Sequence, residues 1–328
     1  MPPTVASTPS RSSSAPDALD RRITTRLREV RGPVSGQALA RDLGISRVAL
    51  WKRIQALEAW GYGIEASRKG YQLVRDDGIA AWELAAPGPV MLFDETASTM
   101  NDARRAAEAG AVNGTLTLAL RQNAGRDRTG GAWESPAGGL YFSVVLRSPL
   151  PLSHSGALLL ESARTVLDLL GKAGIEGLRF DWPSGISTAC RDGICRIGGL
   201  LVESGGSILR ADYRVVGVGL NVAKLDVPGR SVAALADLTE TPPRRAMLAA
   251  DFARTMASWA LEPRLEPERW AGLIPRSGAG LRVRLWNGTE RILNPIGFNE
   301  RGDLIDASGG PALSPGECLT LRPIGVSS

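Results

Sequence analysis

The sequence is poor in the residues on which several large enzyme classes depend. Its 328 residues include a single histidine, His154, and three cysteines, Cys190, Cys195 and Cys318. One histidine cannot form a His-rich metal site, which excludes zinc enzymes and most His-based hydrolases, and three cysteines are too few for a disulfide framework. We therefore expect no metal held by the protein itself. We expect structural or incidental thiols at Cys190 and Cys195, in a loop between Gly185 and Arg196, rather than a redox sensor.

Long apolar runs are also missing. No stretch approaches the roughly 18 uninterrupted apolar residues of a membrane span, and the first sixteen residues lack the apolar segment of a secretory signal. The hydrophobic content of 43% excludes disorder throughout the chain. At roughly 100–200 residues per domain, the length predicts two or three domains. We expect a soluble, cytoplasmic protein with no membrane partner.

Lysine is scarce and the charge is unevenly distributed. Only four of the 39 basic residues are lysine, so the other 35 are arginine. Residues 1–76 contain 13 basic and 7 acidic residues, a net charge of +6, whereas the rest of the chain has a net charge of −1. This distribution is expected if the N-terminal quarter alone meets a polyanion.

The N-terminal quarter has the pattern of a winged helix-turn-helix. After a Ser/Pro/Thr-rich segment, 1–16, that predicts a disordered tail, helical spacing predicts three helices, with Ser35 and Ser46 as N-caps of the second and third. Two short extended runs then flank a turn at 67–70, which predicts a wing within a domain at 17–76. The expected apolar stripe of the third helix consists of Val48, Leu50, Trp51, Ile54 and Leu57.

The basic residues of this domain predict contact with DNA. The candidate DNA-binding residues lie on the third helix and at the tip of the wing: Ser46, Arg47, Lys52, Arg53, Arg68 and Lys69. A third helix in the major groove and a wing on the phosphates would use these side chains in that way. The alternative is a module for protein contacts whose charges are a solvated face. The local charge excess favours DNA binding.

The rest of the chain predicts an α+β protein. A linker at 77–88 leads to a domain at 89–275 in which apolar strands alternate with helices. The strand candidates are Val90–Phe93, Leu116–Leu120, Tyr141–Leu146, Ile197–Val202 and Tyr213–Leu220, and the helix candidates are Asn101–Ala109, Gly156–Leu170 and Arg244–Leu261. Short strands separated by Gly-rich turns predict a small all-β domain, a barrel, at 276–328.

The most unusual motif is a glycine-rich loop that carries two arginines. Arg126 and Arg128 lie within Gly125–Gly131, where backbone amides and guanidinium groups can bind a carboxylate or a phosphate. A solvated basic surface loop is the alternative. Ser98 and Thr99 precede a predicted helix and can either cap it or bind a small polar ligand. The sequence contains neither a Walker A loop nor a Rossmann fingerprint.

In combination, these segments resemble the bifunctional biotin protein ligase and biotin operon repressor family. The resemblance covers residues 17 to about 325 and follows the family order of motifs. The matching segments are the winged helix with Lys69-Gly70-Tyr71, Ser98-Thr99, Gly125–Gly130 (family GRGRRG), Trp182-Pro183 (KWPND), Arg196–Glu203 (KLAGILVE) and Gly217–Asn221.

The resemblance implies a fold and a two-step reaction. It implies a class II synthetase-like ligase domain with a mixed sheet and a C-terminal SH3-like β-barrel. Biotin and ATP with Mg²⁺ would give biotinyl-5′-AMP, and a lysine of the biotin carboxyl carrier protein of acetyl-CoA carboxylase would then receive the biotin. The adenylate-bound form would be a homodimer that binds operator DNA and represses transcription, with biotin acting as substrate and co-repressor.

The resemblance also implies roles for individual residues. The catalytic residues would be Arg126, Arg128 and Arg196. The biotin-binding residues would be Ser98, Thr99, Gln122, Gly125, Arg126, Arg196 and Gly198. The nucleotide-binding residues would be Arg128, Trp133 and Asn221.

The chain departs from the family at these motifs. GRGRRG becomes GRDRTG with Asp127, KWPND becomes DWPSG with Asp181, and the lysine of KLAGIL becomes Arg196, so the motifs carry three fewer positive charges. Two hypotheses follow: an active ligase with an adapted site, and a ligase-like DNA-binding regulator that binds biotin or its adenylate with weak or no ligase activity. A lipoate ligase is a third, more distant reading, since those enzymes lack this DNA-binding front end.

Overall fold

The computed structural model describes residues 16–191, 193–207, 210–225, 227–275 and 280–324. The tail predicted at 1–16 lies outside the described residues except for Pro16. The same holds for the junction predicted at 275/276, because residues 276–279 are not described.

The first five elements form the predicted winged helix-turn-helix. They are α1 (Ala18–Glu29), α2 (Gly36–Leu43), α3 (Arg47–Ala59), β1 (Tyr62–Ser67) and β2 (Gly70–Asp76). The hydroxyls of Ser35 and Ser46 accept hydrogen bonds from Ala38 N–H and Ala49 N–H, which confirms both predicted caps. Gly44 ends α2 in the left-handed conformation that favours glycine, and so sets the tight turn into α3.

The predicted apolar stripe of α3 is wrong at two positions. Leu50, Ile54 and Leu57 are buried, but Val48 and Trp51 are exposed by 64% and 48%. At 100° per residue, the three buried positions share one face of the helix, and Val48 lies on the opposite face. The outward face of α3 therefore carries apolar as well as basic side chains.

The central part of the chain is built on a mixed sheet, as predicted, and this sheet has seven strands. Its strands are β3 (Val90–Thr96), β4 (Thr115–Gln122), β5 (Leu140–Leu146), β6 (Leu178–Asp181), β7 (Gly185–Cys190), β8 (Gly193–Ser207) and β9 (Arg210–Leu220). The spatial order is β3-β4-β5-β9-β8-β7-β6. Only β3 and β4 run parallel, and every other neighbouring pair is antiparallel.

Helices cover both faces of this sheet. Helix α4 (Thr99–Glu108) packs on one face, while α5 (Ser155–Lys172) and α6 (Arg245–Leu261) pack on the other. Successive residues of a strand point to opposite faces, so the neighbours Val144 and Val145 on β5 belong to two different hydrophobic cores. With both faces covered, β5 is buried along its whole length.

The segment predicted as a loop between Gly185 and Arg196 is a hairpin instead. Residues of β7 pair with β8 from Gly185 opposite Gly199 to Cys190 opposite Gly193. Cys190 and Cys195 are not free thiols but form a disulfide across this hairpin. The small and polar residues of β7 lack the alternation of apolar side chains by which a strand is recognised in a sequence.

The C-terminal part is all-β, as predicted. Its strands are β10 (Leu281–Leu285), β11 (Glu290–Leu293), β12 (Pro295–Phe298), β13 (Leu304–Asp306) and β14 (Cys318–Pro323), which form the antiparallel sheets β11-β10-β14 and β12-β13. Among the helices of the described residues, none has both the length and the apolar character needed to cross a bilayer.

Candidate active site

A pocket opens beside the start of α4, above the middle of the central sheet. Its empty volume, including the open mouth, is about 540 Å³. The lining residues are Ser98, Thr99, Met100, Gln122, Arg126, Asp127, Arg128, Trp133, Phe142, Ser184, Arg196, Gly199, Leu200, Leu201, Gly217, Val218 and Gly219. Seven residues that the sequence singled out as a ligand site therefore meet here: Ser98, Thr99, Gln122, Arg126, Arg128, Trp133 and Arg196.

A partly buried polar network around Gln122 lies on the β4 side of the pocket. The Gln122 Oε1 atom accepts hydrogen bonds from Thr99 N at 2.8 Å and Thr99 Oγ1 at 3.2 Å, and Gln122 Nε2 donates to Ser135 Oγ at 3.0 Å. Ser98 is the N-cap of α4, but its hydroxyl forms no hydrogen bond within the described residues. The network fixes the orientation of the amide and leaves the Ser98 hydroxyl available to a ligand.

The three pocket arginines differ in what holds them. Arg126 donates to Asn101 Oδ1 at 3.0 Å and to Glu203 Oε1 at 2.6 Å. Arg128 donates to the backbone oxygen of Leu319 on β14, 2.9 Å away.

Arg128 keeps a buried Nε that has no partner among the described residues. Burial lowers the pKa of Arg128. Arg196 has no hydrogen bond or ion pair from its side chain to any described residue. Among the three pocket arginines, Arg196 is therefore the one whose guanidinium has no partner in the described residues.

Asp127 closes the glycine-rich loop on itself. Its Oδ1 atom accepts hydrogen bonds from Thr129 N, Thr129 Oγ1 and Gly131 N, each at 2.8 Å. The backbone adds Asp127 N to Gly131 O at 2.8 Å. The carboxylate that replaces a family glycine therefore supports the loop, and its charge is largely satisfied before any ligand arrives.

Glycines of β9 make room for the side chains that form the pocket wall. A Cβ at Gly219 would lie 3.0 Å from Trp133 Nε1, and one at Gly217 would lie 2.8 Å from Met100 Cγ. The Trp133 Nε1 atom is buried without a partner among the described residues. The sequence marked these glycines only as a GxG segment, and their packing role required the positions of Met100 and Trp133.

Three predicted ligand residues do not line the pocket. Gly125 accepts a hydrogen bond from Trp133 N through its backbone oxygen, and Gly198 pairs with Leu220 within the sheet. Asn221 is buried and donates to the backbone oxygens of Arg196 and Ala233, at 3.3 and 3.1 Å. None of the three lines the pocket, so a direct ligand contact for each of them stays a prediction.

Asp181, the other acidic departure, does not line the pocket. Its carboxylate lies 3.1 Å from Arg179 Nε, at the end of β6. The negative charge that replaces a family lysine is therefore paired away from the pocket.

The candidate DNA-binding residues divide into two groups. Five are exposed at the start of α3, on α3 and at the turn between β1 and β2: Ser46, Arg47, Lys52, Arg68 and Lys69. Arg53 instead donates to Asp17 Oδ1 and Asp20 Oδ1, both at 2.9 Å, at the start of α1. It therefore faces α1 rather than the outward surface. Trp51 and Val48, which the sequence assigned to the core, lie among the exposed basic residues.

Two family models match the chain. Residues 20–72 match an HTH domain, and residues 92–221 match the Biotin/lipoate A/B protein ligase family. Among curated proteins, the Bifunctional ligase/repressor BirA of Bacillus subtilis is 33% identical over 201 residues, which is 58% of this chain and 60% of that protein. The same-named protein of Escherichia coli is 30% identical over 198 residues, again 58% of this chain and 59% of that protein. The chain therefore matches about three fifths of the length of these relatives.

For a further relative and for a solved structure, the match covers more of the compared protein's length. Biotin--[acetyl-CoA-carboxylase] ligase of Mycobacterium tuberculosis is 29% identical over 70% of this chain and 87% of its own length. A structure of biotin protein ligase from Aquifex aeolicus in complex with biotin and ATP has a TM-score of 0.58 at 21% identity, covering 72% of this chain and 99% of that one. At this identity the structural match shows a shared fold.

Proposed function

Because this chain combines a helix-turn-helix domain with a biotin/lipoate ligase domain, we propose that it is a biotin protein ligase that also represses transcription in response to biotin. The proposed reaction joins biotin to ATP as biotinyl-5′-AMP and then transfers biotin to a lysine of biotin carboxyl carrier protein. The observation that carries this proposal is the free guanidinium of Arg196, from β8, in one pocket with the Thr99–Gln122 network at β4, with β5 and β9 between these two strands.

The pocket has the chemistry that biotin requires. Its apolar wall suits the thiophane ring and the aliphatic chain, while Ser98, Thr99 and Gln122 offer polar atoms for the ureido head group. Arg196 offers a guanidinium to the carboxylate at the far end of the chain. A ligand that is polar at both ends and apolar between them satisfies both groups at once.

The first step brings two anions together. A carboxylate oxygen of biotin attacks the α-phosphorus of ATP, the bond to the β-phosphate oxygen breaks, and pyrophosphate leaves. Arg126, Arg128 and Arg196 supply positive charge around this centre in a pocket that is partly shielded from water. Asp127 and Asp181 oppose this charge little, because the first bonds its own loop and the second lies beside Arg179 outside the pocket.

Magnesium would arrive with the nucleotide. The described residues contain no group of three or more His, Cys, Asp or Glu side chains that could hold a metal ion. Mg²⁺ commonly binds substrate phosphates with only one or two protein carboxylates, so such a group is not required. Glu203, which accepts a hydrogen bond from the pocket residue Arg126, would be a carboxylate to support such an ion.

In the second step, the acceptor lysine attacks the carbonyl carbon of the adenylate, the acyl–phosphate bond breaks, and AMP leaves. We propose the biotin carboxyl carrier protein of acetyl-CoA carboxylase as the acceptor and the cytoplasm as the compartment. The winged helix would bind operator DNA through Arg47, Lys52, Arg68 and Lys69. The adenylate-bound protein would do so as a homodimer.

A DNA-binding regulator with weak or no ligase activity is the second candidate. The observation in its favour is that Arg126 and Arg128 already have protein partners, which leaves one free pocket cation among the described residues. In this reading the pocket binds biotin or its adenylate as a signal. The positions of Asp127 and Asp181 favour the ligase, because neither carboxylate cancels the charge of Arg196.

Biotinylation of a carrier domain tests the proposal directly. The purified protein is incubated with biotin, ATP, Mg²⁺ and a biotin carboxyl carrier domain, and biotin on the carrier is detected with streptavidin. We expect a signal that depends on ATP and on the carrier lysine, shown by a Lys→Arg carrier as the control. Absence of signal with enzyme equal to carrier contradicts the ligase, and calorimetric biotin binding in the same preparation then supports the regulator.

A further inference from the structure

The guanidinium of Arg196 lies where a side chain at position 185 would begin. Gly185 is the first residue of β7, and a Cβ built on it would overlap the guanidinium, with Nη2 at 2.8 Å as the farthest of the three nearest atoms. Real Cβ atoms do not approach heavy atoms this closely. Even a methyl group at position 185 is therefore incompatible with the present position of Arg196.

The backbone does not require glycine at this position. Gly185 is not among the described glycines with positive φ, so alanine can adopt its conformation. The substitution should therefore leave the strand intact and act through the space that the methyl group fills.

Neither backbone can easily move to make that space. Gly185 is paired on both sides, with Asp181 on β6 and Gly199 on β8. Arg196 N donates to Ser231 O at 2.9 Å, and the Arg196 oxygen accepts from Ala233 N at 2.9 Å. The guanidinium at the end of a flexible side chain is the part that must move.

We propose that Gly185 is a positioning residue, because its lack of a side chain lets the guanidinium of Arg196 lie at its place in the pocket. The inference rests on the proposed function for the identity of the ligand. Arg196 has no side-chain partner among the described residues, so the absence of a side chain at Gly185 is what allows its charge to lie there. Gly185 and Arg196 therefore act as one unit, a small residue on β7 paired with a guanidinium from β8.

The guanidinium can shift at little energetic cost, so we expect the effect of filling this space to be a loss of activity rather than of stability. A misplacement of about 1 Å in a reacting complex can lower a rate by roughly 100-fold. We expect Gly185→Ala to lower kcat/KM for biotin in biotin-dependent ATP–pyrophosphate exchange by about 10- to 100-fold. The matched control is Gly297→Ala on β12, another strand glycine without positive φ, where a Cβ meets nothing within 4 Å. It should keep the wild-type value.

A double-mutant cycle separates positioning from a general structural defect. In an Arg196→Ala background the guanidinium is absent, so adding Gly185→Ala should cost less than about threefold. Arg196→Lys removes the planar fork, so Gly185→Ala with Arg196→Lys should be more active than Gly185→Ala alone. Equal losses from Gly185→Ala in the wild-type and Arg196→Ala backgrounds would overturn the proposal.

Crystal structures of the wild type and of Gly185→Ala decide the question without any assay. We expect the β7–β8 pairing to be kept and the Arg196 guanidinium to leave its place over residue 185. An unmoved guanidinium would overturn the inference even if the ligase proposal holds. If the wild type forms no adenylate, the proposed function fails, and the displaced guanidinium still supports the positioning role of Gly185.

Discussion

The junction between the winged helix and the central domain uses arginine differently from the pocket. At the junction, Glu83 accepts hydrogen bonds from Arg28, Arg244, Tyr62 and Trp82, at distances of 2.7 to 2.9 Å. Asp76 adds two bonds from Arg28, at 2.6 and 2.8 Å. Every charged group of this cluster has an opposite charge from the chain itself.

In the pocket, not every arginine has an acidic partner among the described residues. Arg126 has a carboxylate, Arg128 has only a backbone oxygen for its guanidinium, and Arg196 has no partner for its side chain among the described residues. The same residue type therefore has two uses in one molecule. Where the chain supplies the anion, arginine holds domains together, and where it does not, a substrate can supply the anion.

The largest predicted effect comes from a substitution of Glu83 in the charged cluster at the junction. Glu83→Ala leaves Arg28, Arg244 and Tyr62 without their shared acceptor, at a side chain exposed by only 9%. The cluster is partly exposed, and Arg28 keeps its two bonds to Asp76. Since a hydrogen bond to a charged group contributes about 1.5–3 kcal/mol, we expect the free energy of unfolding in urea to fall by about 2 kcal/mol. Glu65→Ala, on the exposed part of β1, is the control and should change it by less than about 0.5 kcal/mol. Equal values for the two variants would show that the cluster does not stabilise the junction.

The second prediction concerns Arg196, the pocket arginine whose side chain has no partner among the described residues. Arg196→Ala removes a charge with no structural partner in the described residues, so the free energy of unfolding should change by less than about 0.5 kcal/mol. Adenylate formation should fall by about 10- to 100-fold, because one charged hydrogen bond at the reacting centre is lost. Arg104→Ala, an exposed position on α4, is the control. A large loss of stability with unchanged pyrophosphate exchange would reverse the roles assigned to the two regions.

The contrast also explains which features the sequence could predict. The caps Ser35 and Ser46 were predicted because capping joins residues three positions apart, and Thr99 and Gln122 were predicted through motifs that keep their spacing. The bond from Arg128 to Leu319 joins residues 191 positions apart. No local pattern indicates such a contact.

The contacts that the sequence did not indicate have the same origin. A DNA contact of Arg53 stays a prediction, but its bonds to Asp17 and Asp20, at the start of another helix, form only through tertiary packing. The overlap of the Gly185 position with Arg196 likewise depends on the register of β7 against β8. Local chemistry could be predicted from the sequence, whereas the pairing of charges across elements required the fold.

The third prediction concerns the exposed charges of the wing. Arg68 and Lys69 lie exposed at the turn between β1 and β2, so their contribution to DNA binding should be electrostatic and sensitive to salt. Lys69→Ala should weaken binding to operator DNA several-fold and lower the slope of log K against log salt by about one. Arg53→Ala should change that slope little, since its charge faces α1, but should lower the free energy of unfolding. A slope lowered by Arg53→Ala and not by Lys69→Ala would contradict the assignment of the DNA surface.

The smallest effect is the pH dependence of the junction. Burial tends to raise the pKa of Glu83, but hydrogen bonds from Arg28 and Tyr62 and the nearby Arg244 outweigh it, so the pKa lies below its ordinary value of 4.5. A carboxyl whose pKa is lower in the folded state stabilises the fold above its unfolded pKa, and this stabilisation is lost as the pH falls through the folded pKa. The free energy of unfolding of the wild type, measured with urea, should therefore fall as the pH drops below about 4.5. Glu83→Gln should show a shallower decline than the wild type, and Glu65→Gln should follow the wild-type curve. Parallel curves for the wild type and Glu83→Gln would mean that the paired region holds its charges without a net effect on stability.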